Sequence, residues 1–147
     1  MIQRKEGRIV NINSISGYIG TPMRASYSAS KFAMTGYFES LKAEVYAHNI
    51  HITNIFPGHV RTNISASAAT ATGEKFGKVD PNIGGGFDPA DLARAVLCAV
   101  YNKTGDVYFC SWKHYLGTLV KAYFPPAMPM VMRNHLKSQI KTRDAAR

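Results

Sequence analysis

Tyr27 and Lys31 are the residues of this sequence whose types and spacing best suit acid–base chemistry. In a helix, residues at positions i and i+4 lie on the same face, so the phenol would stand beside the ammonium. A free tyrosine has a pKa of roughly 10, and it acts near neutral pH only where positive charge favours its anion. Lys31 can supply that charge, and Ser14, thirteen positions before Tyr27, adds a hydroxyl. The stretch from Ser14 to Lys31 therefore predicts a proton-transfer site.

Strands and helices alternate in the elements that must position this stretch. Apolar and β-branched patterns predict three strands, at 8–13, 50–56 and 106–111. Helical patterns predict three helices, from about 25 to 48, from about 89 to 102 and from 112 to 124. Asp88 suits the N-cap of the second helix, and Asn49 and Gly105 suit the ends of the first and second. This alternation indicates an α/β fold with a parallel sheet.

The packing faces and the long loop can also be predicted. The first helix offers six candidates for packed faces: Tyr27, Phe32, Ala33, Gly36, Leu41 and Val45. The last predicted helix has six apolar residues at helical spacings, which favour a core position over a membrane-facing one: Tyr115, Leu116, Leu119, Val120, Tyr123 and Phe124. The segment 60–87 is rich in small and polar residues and lacks a sustained period, so it predicts a lid or a substrate-binding loop.

Charge and cysteine content argue against several classes of protein. The formal net charge is +9, and the last fifteen residues contribute +4 of it, which indicates a solvated tail and no nucleic-acid partner. Contact of that tail with anionic lipid is the alternative. Cys98 and Cys110 lack metal-ligand spacing, so we predict no metal site and a reducing compartment. The chain shows no signal peptide, and its most apolar run, 115–132, is interrupted by Lys121 and three prolines, so no transmembrane segment is predicted.

Three segments together resemble the short-chain dehydrogenase/reductase family. They are Ser14 after a strand, Tyr27-Ser-Ala-Ser-Lys31, and Pro57-Gly58-His59-Val60-Arg61-Thr62 after the next strand. The segment 57–86 and the Trp112-Lys-His-Tyr region resemble the member 7/7B branch of that family. The resemblance implies a Rossmann-like doubly wound parallel sheet, of which this chain would be the C-terminal part, with three strands and flanking helices.

The resemblance also implies roles for particular residues. Tyr27 would protonate a carbonyl oxygen to which Ser14 donates a hydrogen bond, and Lys31 would hold the hydroxyls of the nicotinamide ribose. Tyr27 and Lys31 would thus contact the cofactor as well, together with the segment that lines the nicotinamide carboxamide: Pro57, Gly58, Val60 and Thr62. The implied cofactor is NADP, with NAD not excluded, and the implied substrate is a lipid- or steroid-like carbonyl or alcohol. Association with the endoplasmic reticulum membrane surface and a homo-oligomer through the Tyr27 helix are further implications.

The glycine-rich turn that receives the pyrophosphate in dinucleotide-binding folds is not found in this sequence. Gly84, Gly85 and Gly86 lack the Gly-x-Gly-x-x-Gly spacing, and Asp88 would repel a phosphate. We therefore expect residues 1–132 to be a partial catalytic domain without its N-terminal dinucleotide-binding half, and 133–147 to be a basic tail. On this interpretation the first strand is an apolar edge, and the chain alone is inactive as an oxidoreductase. The alternative is a non-enzymatic interaction module that pairs with full-length relatives.

Overall fold

Three parallel strands form one sheet in the spatial order β1–β2–β3. The structure is a computed structural model that describes residues 1–62, 73, 77 and 81–145. The strands are β1 (Gly7–Ile12), β2 (Ile50–Pro57) and β3 (Asp106–Phe109). β1 and β2 pair from Gly7↔Ile50 to Ile12↔Ile55, and β2 and β3 pair from Asn54↔Asp106 to Pro57↔Phe109. The predicted α/β fold with three parallel strands is confirmed.

Five helices accompany the sheet in the described part of the chain. They are α1 (Ala25–Val45), α2 (Pro81–Gly84), α3 (Pro89–Tyr101), α4 (Trp112–Tyr123) and α5 (Met128–Ala145), and three 3-10 turns lie at Ile15–Gly17, Tyr46–His48 and Pro125–Ala127. Asn49 takes the left-handed conformation (φ 52°) at the end of the first helical segment, as predicted. Asp88 caps α3, because its carboxylate accepts a 2.8 Å hydrogen bond from the Ala90 N–H. α3 ends at Tyr101, and Lys103 (φ 56°) adopts the left-handed conformation before Gly105 is reached.

α1 and α3 lie on opposite faces of the sheet, since neighbouring residues of a strand point to opposite sides. Val45 of α1 packs with Ile50 and Ile52 of β2 in the main apolar core, joined by Ile9, Phe38 and Leu41. On the other face, the Arg8 guanidinium of β1 donates hydrogen bonds to the carbonyls of Val100 and Tyr101 at the end of α3. The helices therefore flank the sheet as in a doubly wound fold.

A row of polar side chains crosses the α1 face of the sheet. Asn11 donates to the Asn54 side-chain oxygen at 3.1 Å, and Asn54 donates to Asp106 at 3.0 Å. Lys42 of α1 ends the row with an ion pair to Asp106. The strand register explains the row, because Asn11, Asn54 and Asp106 are consecutive partners across the three strands. The hydrogen bonds make this register specific, since a slip of one residue would bury the amides without partners.

β1 is an edge of the described sheet, as expected. Val10 and Ile12 are 37% and 48% exposed. Asn11 Oδ1, on the same strand, is buried without a hydrogen-bond partner among the described residues. A strand edge of this kind can pair with a further strand.

The predicted packed face of α1 is largely wrong. Val45 is buried and Leu41 half-buried, but four of the six residues are exposed: Tyr27, Phe32, Ala33 and Gly36. The inward positions belong instead to Ser28 and Thr35, whose hydroxyls are hydrogen-bonded. Buried hydroxyls are tolerated where they find such partners, so apolarity alone misassigned the face.

The expected core position of the α4 residues is also wrong. Thr118 is buried and Val120 is half-buried, but the other five of the six apolar residues are exposed: Tyr115, Leu116, Leu119, Tyr123 and Phe124. Residues 128–145 form a helix that was not predicted, because three prolines precede or open it. Pro129 stands at its second position, where a backbone N–H has no intrahelical partner to lose.

Two further expectations concern the loop and the membrane. Most of the predicted lid, residues 63–72, 74–76 and 78–80, lies outside the described part of the chain. Over the residues that the structure describes, no helix combines the length and apolarity needed to cross a bilayer.

Candidate active site

The predicted site residues follow the carboxyl ends of the strands. Ser14 comes two residues after β1, and Pro57 and Gly58 lie at the end of β2. Tyr27 and Lys31 lie in the first two turns of α1, the helix that connects these strands. In open parallel sheets, ligands bind outside this edge of the sheet, so the fold brings the three sequence segments toward one side.

Tyr27 and Lys31 are brought together as predicted. The Lys31 Nζ lies 5.9 Å from the centroid of the Tyr27 ring, and it also lies 3.4 Å from the Ile12 carbonyl oxygen at the end of β1. Tyr27 is 37% exposed, so its phenol is open to a ligand. Its position in the first turn of α1 places Tyr27 near the positive end of the helix dipole as well as beside the Lys31 charge.

Ser14 is held at the start of the 3-10 turn Ile15–Gly17. It is 9% exposed, and its Oγ accepts a hydrogen bond of 3.1 Å from the Ser16 N–H. A hydroxyl that accepts in this way can still donate its own proton. Ser14 can therefore donate to an oxygen of a substrate from a fixed position.

Asn13 and Thr35 position the pair and were missed by sequence reasoning. The buried Asn13 amide donates to Thr35 Oγ1 at 2.8 Å and to the Lys31 carbonyl at 3.2 Å. Thr35 Oγ1 lies 2.9 Å from the Gly17 carbonyl, to which it donates. These bonds connect the end of β1, the turn after Ser14 and the second turn of α1. An Asn directly before Ser14, at a strand end, was the sequence signal that could have indicated this contact.

The loop between Ser14 and Tyr27 is held by three further hydroxyl groups. Ser16 Oγ and Thr21 Oγ1 are 3.0 Å apart, and the Thr21 N–H donates to Ser28 Oγ at 3.2 Å. Ser28, which is 6% exposed, follows Tyr27 directly. The loop is thus fastened to the first turn of the helix that carries the phenol.

The segment from Pro57 to Thr62 is braced by Gly86 and Phe87. The Phe87 N–H donates to the His59 carbonyl and the Arg61 N–H donates to the Phe87 carbonyl, both at 2.9 Å, which makes a short parallel bridge between Val60 and Phe87. A Cβ on Gly86 would lie 2.6 Å from the His59 carbonyl oxygen, so only glycine fits this close approach. Sequence reasoning rejected a phosphate role for this glycine but did not find its bracing role.

Arg61 and Asp88 add an exposed ion pair to this brace, with 2.6 Å between Arg61 Nη2 and Asp88 Oδ2. The hydrogen bond from the Ala90 N–H and the Arg61 guanidinium hold the pKa of Asp88 below its usual value. Thr62, the last predicted cofactor contact, is exposed. The brace therefore leaves the outer end of the segment open to solvent.

Gly58 and His59 also contact the start of α4. The Gly58 N–H donates to the Phe109 carbonyl at 2.9 Å, and a Cβ on Gly58 would lie 3.0 Å from the Cys110 Cβ. The His59 ring meets the His114 ring edge-on at 5.2 Å, and Ser111 Oγ lies 2.7 Å from His114 Nδ1. Burial, followed by the nearby His59 and His135, lowers the pKa of His114, so this imidazole is neutral at pH 7. Burial raises the pKa of the Cys110 thiol.

An open apolar pocket of about 330 Å³ adjoins the loop after Ser14. It is lined by Ile19, Gly20, Lys121, Pro125, Met128, Pro129 and Met132. The Lys121 ammonium donates to the Tyr18 carbonyl and lies 4.4 Å from the Phe32 ring centroid. Burial lowers the pKa of Lys121. The pocket therefore combines apolar walls with one cation.

Tyr108 is a tyrosine of β3 whose surroundings raise its pKa. It stacks on Phe56 with 5.1 Å between ring centroids, and burial raises its pKa to about 12. It is therefore a poor proton donor.

Among the described residues, no group of three His, Cys, Asp or Glu side chains is arranged to hold a metal ion.

The part of the chain that carries these site residues matches one known protein family. Residues 1–73, which include Ser14, Tyr27, Lys31 and the Pro57–Thr62 segment, match the family model described as short chain dehydrogenase. The chain belongs to the short-chain dehydrogenase/reductase family. It is similar to dehydrogenase/reductase SDR family member 7B of Bos taurus (39% identical over 143 residues, 95% of this chain and 44% of that protein) and of Mus musculus (35% identical over 145 residues, 99% and 45%).

A third relative is the SDR family protein 7-like of Anopheles gambiae, which is 46% identical over 107 residues, 73% of this chain and 34% of that protein. The chain thus spans less than half the length of these short-chain dehydrogenase/reductase relatives. The predicted resemblance to the family and to its member 7/7B branch is confirmed.

Solved structures of short-chain dehydrogenases have the same fold. One, from Burkholderia cenocepacia J2315 in complex with NADP, superposes with a TM-score of 0.67 at 23% identity, over 86% of this chain and 47% of that one. Another, from Streptomyces avermitilis, gives a TM-score of 0.62 at 25% identity, over 100% of this chain and 55% of that one. The described sheet and helices therefore have the Rossmann-like fold of this family.

The residues present suit the nicotinamide ribose part of a dinucleotide. The Lys31 ammonium has three N–H donors, of which one is directed at the Ile12 carbonyl and one at Met34 Sδ, so the third can reach a ribose hydroxyl. The Tyr27 phenol beside it can donate or accept. The braced backbone from Gly58 to Thr62 offers further amide groups at the same edge of the sheet.

Proposed function

We propose that this chain carries the proton-transfer part of an NAD(P)(H)-dependent oxidoreductase site that reduces a lipid- or steroid-like carbonyl or oxidises the corresponding alcohol. The observation that carries the proposal is the Tyr27–Lys31 pair, 5.9 Å apart on α1 in a member of this family. The anchoring of both ends of the Ser14–Lys31 stretch supports it, because catalysis needs fixed positions.

In this mechanism the Tyr27 phenol donates its proton to the carbonyl oxygen of the substrate. The Lys31 ammonium and the N-terminus of α1 stabilise the phenolate that remains. Ser14 donates a hydrogen bond to the same carbonyl oxygen and holds it toward the phenol. General acid catalysis of this kind contributes typically about 10²–10⁴-fold.

The proposed cofactor is NADP or NAD, whose nicotinamide supplies or accepts the hydride when it is bound. Tyr27 and Lys31 would hold the nicotinamide ribose, and the Pro57–Thr62 segment, with Pro57, Gly58, Val60 and Thr62, would line the carboxamide. The bound NADP in the Burkholderia relative supports a nicotinamide cofactor. The sequence has no Gly-x-Gly-x-x-Gly turn, so we propose that this chain alone binds the dinucleotide weakly and is inactive.

The pocket beside the site supports an apolar substrate. Ile19 and Gly20 contribute to it and belong to the loop that joins Ser14 to Tyr27. Its volume of about 330 Å³ is within the range of small-molecule sites. We therefore propose that the apolar body of the substrate lies in this pocket.

The nicotinamide part of the proposal can be tested on this chain alone. Reduced nicotinamide mononucleotide, titrated into ¹⁵N-labelled protein, should shift the amide signals of Lys31, Gly58, Val60 and Thr62 in a saturable way. Adenosine monophosphate, as the control, should leave those signals in place. Lys31→Met should weaken the binding roughly tenfold, because the ribose hydroxyls lose a charged donor. Shifts confined to other parts of the chain would contradict the proposed site.

The proton-transfer part needs a protein that carries both halves of the domain. In such a protein, Tyr27→Phe should abolish turnover of an apolar ketone and leave NADPH binding within about twofold, because the variant lacks only the proton donor. Turnover equal to that of the parent would remove Tyr27 from this role. Tight, saturable binding of NADPH by the shorter chain would contradict the proposed incompleteness of its cofactor site.

A second candidate function is a non-enzymatic interaction module that pairs with full-length relatives. The exposed edge of β1, with Val10 and Ile12, favours it, and so does the exposed face of α1 with Phe32, Ala33 and Gly36. A homo-oligomer through this face of α1 belongs to the same proposal. Sedimentation of the chain, alone and mixed with a full-length relative, distinguishes the two functions, because only the module requires a stable complex.

A further inference from the structure

The outward face of α4 is apolar. Trp112, Leu116, Leu119 and Tyr123 are spaced i, i+4, i+7 and i+11, so they form one stripe along the helix. Their exposed fractions are 69%, 48%, 37% and 74%. A surface helix of a globular protein has the opposite arrangement, with its apolar stripe facing the core. Exposure of a contiguous apolar stripe marks an interaction surface.

Contacts on the inward face hold α4 in this orientation. A Cβ on Gly117 would lie 3.2 Å from the Ile19 Cδ1, so the loop after Ser14 packs closely against the helix backbone there. Thr118 is 4% exposed, and Lys121 reaches the Tyr18 carbonyl. Gly117, Thr118 and Lys121 therefore pack inward, and the apolar stripe cannot turn toward the core without losing these contacts.

Basic residues accompany the apolar stripe. Arg133, Lys137 and Lys141 of α5 are spaced i, i+4 and i+8, and all three are exposed. Residues 112–141 contain five Lys or Arg and no Asp or Glu. α4 and α5 are neighbours, since both contribute to the pocket between Lys121 and Met132. The two neighbouring helices thus carry exposed apolar and aromatic groups on α4 and exposed cations on α5.

We propose that α4 and α5 together form a docking surface for an anionic phospholipid bilayer. Trp and Tyr favour the headgroup level of a membrane, where their amphipathic rings contact both apolar chains and water. Leu116 and Leu119 would enter the acyl boundary, while the α5 cations attract the anionic headgroups. This surface is independent of the proton-transfer residues.

The charge favours a membrane over a second copy of the chain. In a twofold dimer the same surface faces itself, so the exposed Lys113, Arg133, Lys137 and Lys141 would meet the same four cations of the second copy. Residues 112–141 hold no Asp or Glu to pair with them. A bilayer that contains anionic lipid supplies the opposite charge.

Trp112 provides a direct probe, because it is the one tryptophan of the chain. Vesicles of phosphatidylcholine with phosphatidylserine should shift its emission to shorter wavelength and sediment the protein, and brominated acyl chains should quench it. Vesicles of phosphatidylcholine alone should bind roughly tenfold more weakly, because the cations lose their partners. Unchanged Trp112 emission with the anionic vesicles would overturn the proposal, and equal binding to both compositions would overturn its electrostatic part.

Two matched double variants distinguish binding through this surface from non-specific binding through any exposed aromatic residue. Leu116→Ser with Tyr123→Ser should reduce binding to anionic vesicles roughly tenfold, because the apolar stripe is lost. Tyr46→Ser with Tyr101→Ser removes two aromatic residues that are 85% and 82% exposed on other elements, and should leave binding unchanged. Equal losses in the two pairs would overturn the assignment. A dimer in the absence of lipid that disappears only in the first pair would assign the surface to a second copy instead.

Discussion

Asn13 and Thr35 join the end of β1 to the middle of α1 through a buried hydrogen bond of 2.8 Å between Asn13 Nδ2 and Thr35 Oγ1. The two residues are 5% and 8% exposed. Thr35 also donates to the Gly17 carbonyl, in the turn that follows Ser14. The position of Lys31 relative to Ser14 is therefore set by residues that touch neither substrate nor cofactor in the proposed mechanism.

Thr35→Val should destabilise the protein by about 1–3 kcal/mol, because it leaves the Gly17 carbonyl and one Asn13 bond without a partner in a buried place. Thr35→Ser keeps the hydroxyl and is the matched control, with a smaller loss from the missing methyl. Urea unfolding followed by circular dichroism measures both. A Thr35→Val protein as stable as Thr35→Ser would show that the hydrogen bonds do not hold this junction.

The sequence alone predicted the residues of the proposed proton-transfer site, but it did not predict the contacts that hold those residues in place. The Tyr27–Lys31 contact follows from a spacing of four within one helix, and the parallel sheet follows from alternating strands and helices. The Asn13–Thr35 and Gly86–His59 contacts join residues more than twenty positions apart, so no local sequence pattern predicts them. They depend on how the fold packs the elements that carry these residues.

Gly86→Ala should destabilise the protein by about 1–3 kcal/mol and shift the amide signals of His59 and Val60. The added methyl group would press on backbone atoms, and no side chain can move away to make room for it. The added Cβ would lie 2.6 Å from the His59 carbonyl oxygen. Gly36→Ala is the contrasting variant: nothing lies within 4 Å of its Cβ position in α1. It should stabilise the protein by about 0.5–1 kcal/mol through helix propensity. The same sign for both variants would contradict this interpretation of the two glycines.

The helices packed differently from the sequence-based expectation for a physical reason. Amphipathic analysis assumes that apolar residues face inward, but α1 buries Ser28 and Thr35 with hydrogen-bond partners. In α4, the close approach at Gly117 and the Lys121 contacts outweigh the apolar residues in choosing the inner face. These contacts depend on the loop after Ser14, which packs against α4 in the fold. The hydrophobic periodicity of α4 carries no information about that loop.

Cys98 should react with iodoacetamide faster than Cys110 at mildly alkaline pH. Cys98 is exposed, whereas Cys110 is partly buried against Gly58 and burial raises the pKa of its thiol, so less reactive thiolate is present. Intact mass spectrometry of Cys98→Ser and Cys110→Ser gives the two rates separately. In urea the rates should become similar, and equal rates in the folded protein would contradict the assigned burial.

His114 should make the stability depend on pH between neutral and mildly acidic conditions. Burial, with the neighbouring His59 and His135, lowers its folded pKa below the ordinary value, so the unfolded chain binds more protons as the pH falls. The stabilisation is therefore fully present above about pH 6.5, the unfolded pKa, and is lost as the pH falls from there through the folded pKa. Urea midpoints at about pH 7.5 and about pH 5.5 measure this loss. His114→Gln should flatten the dependence. His51→Gln is the control, at a half-buried histidine of β2 whose Nε2 lies 3.2 Å from Asn49 Oδ1, and it should retain the dependence. Equal pH dependence in the two variants would show that protonation of His114 is not what weakens the fold.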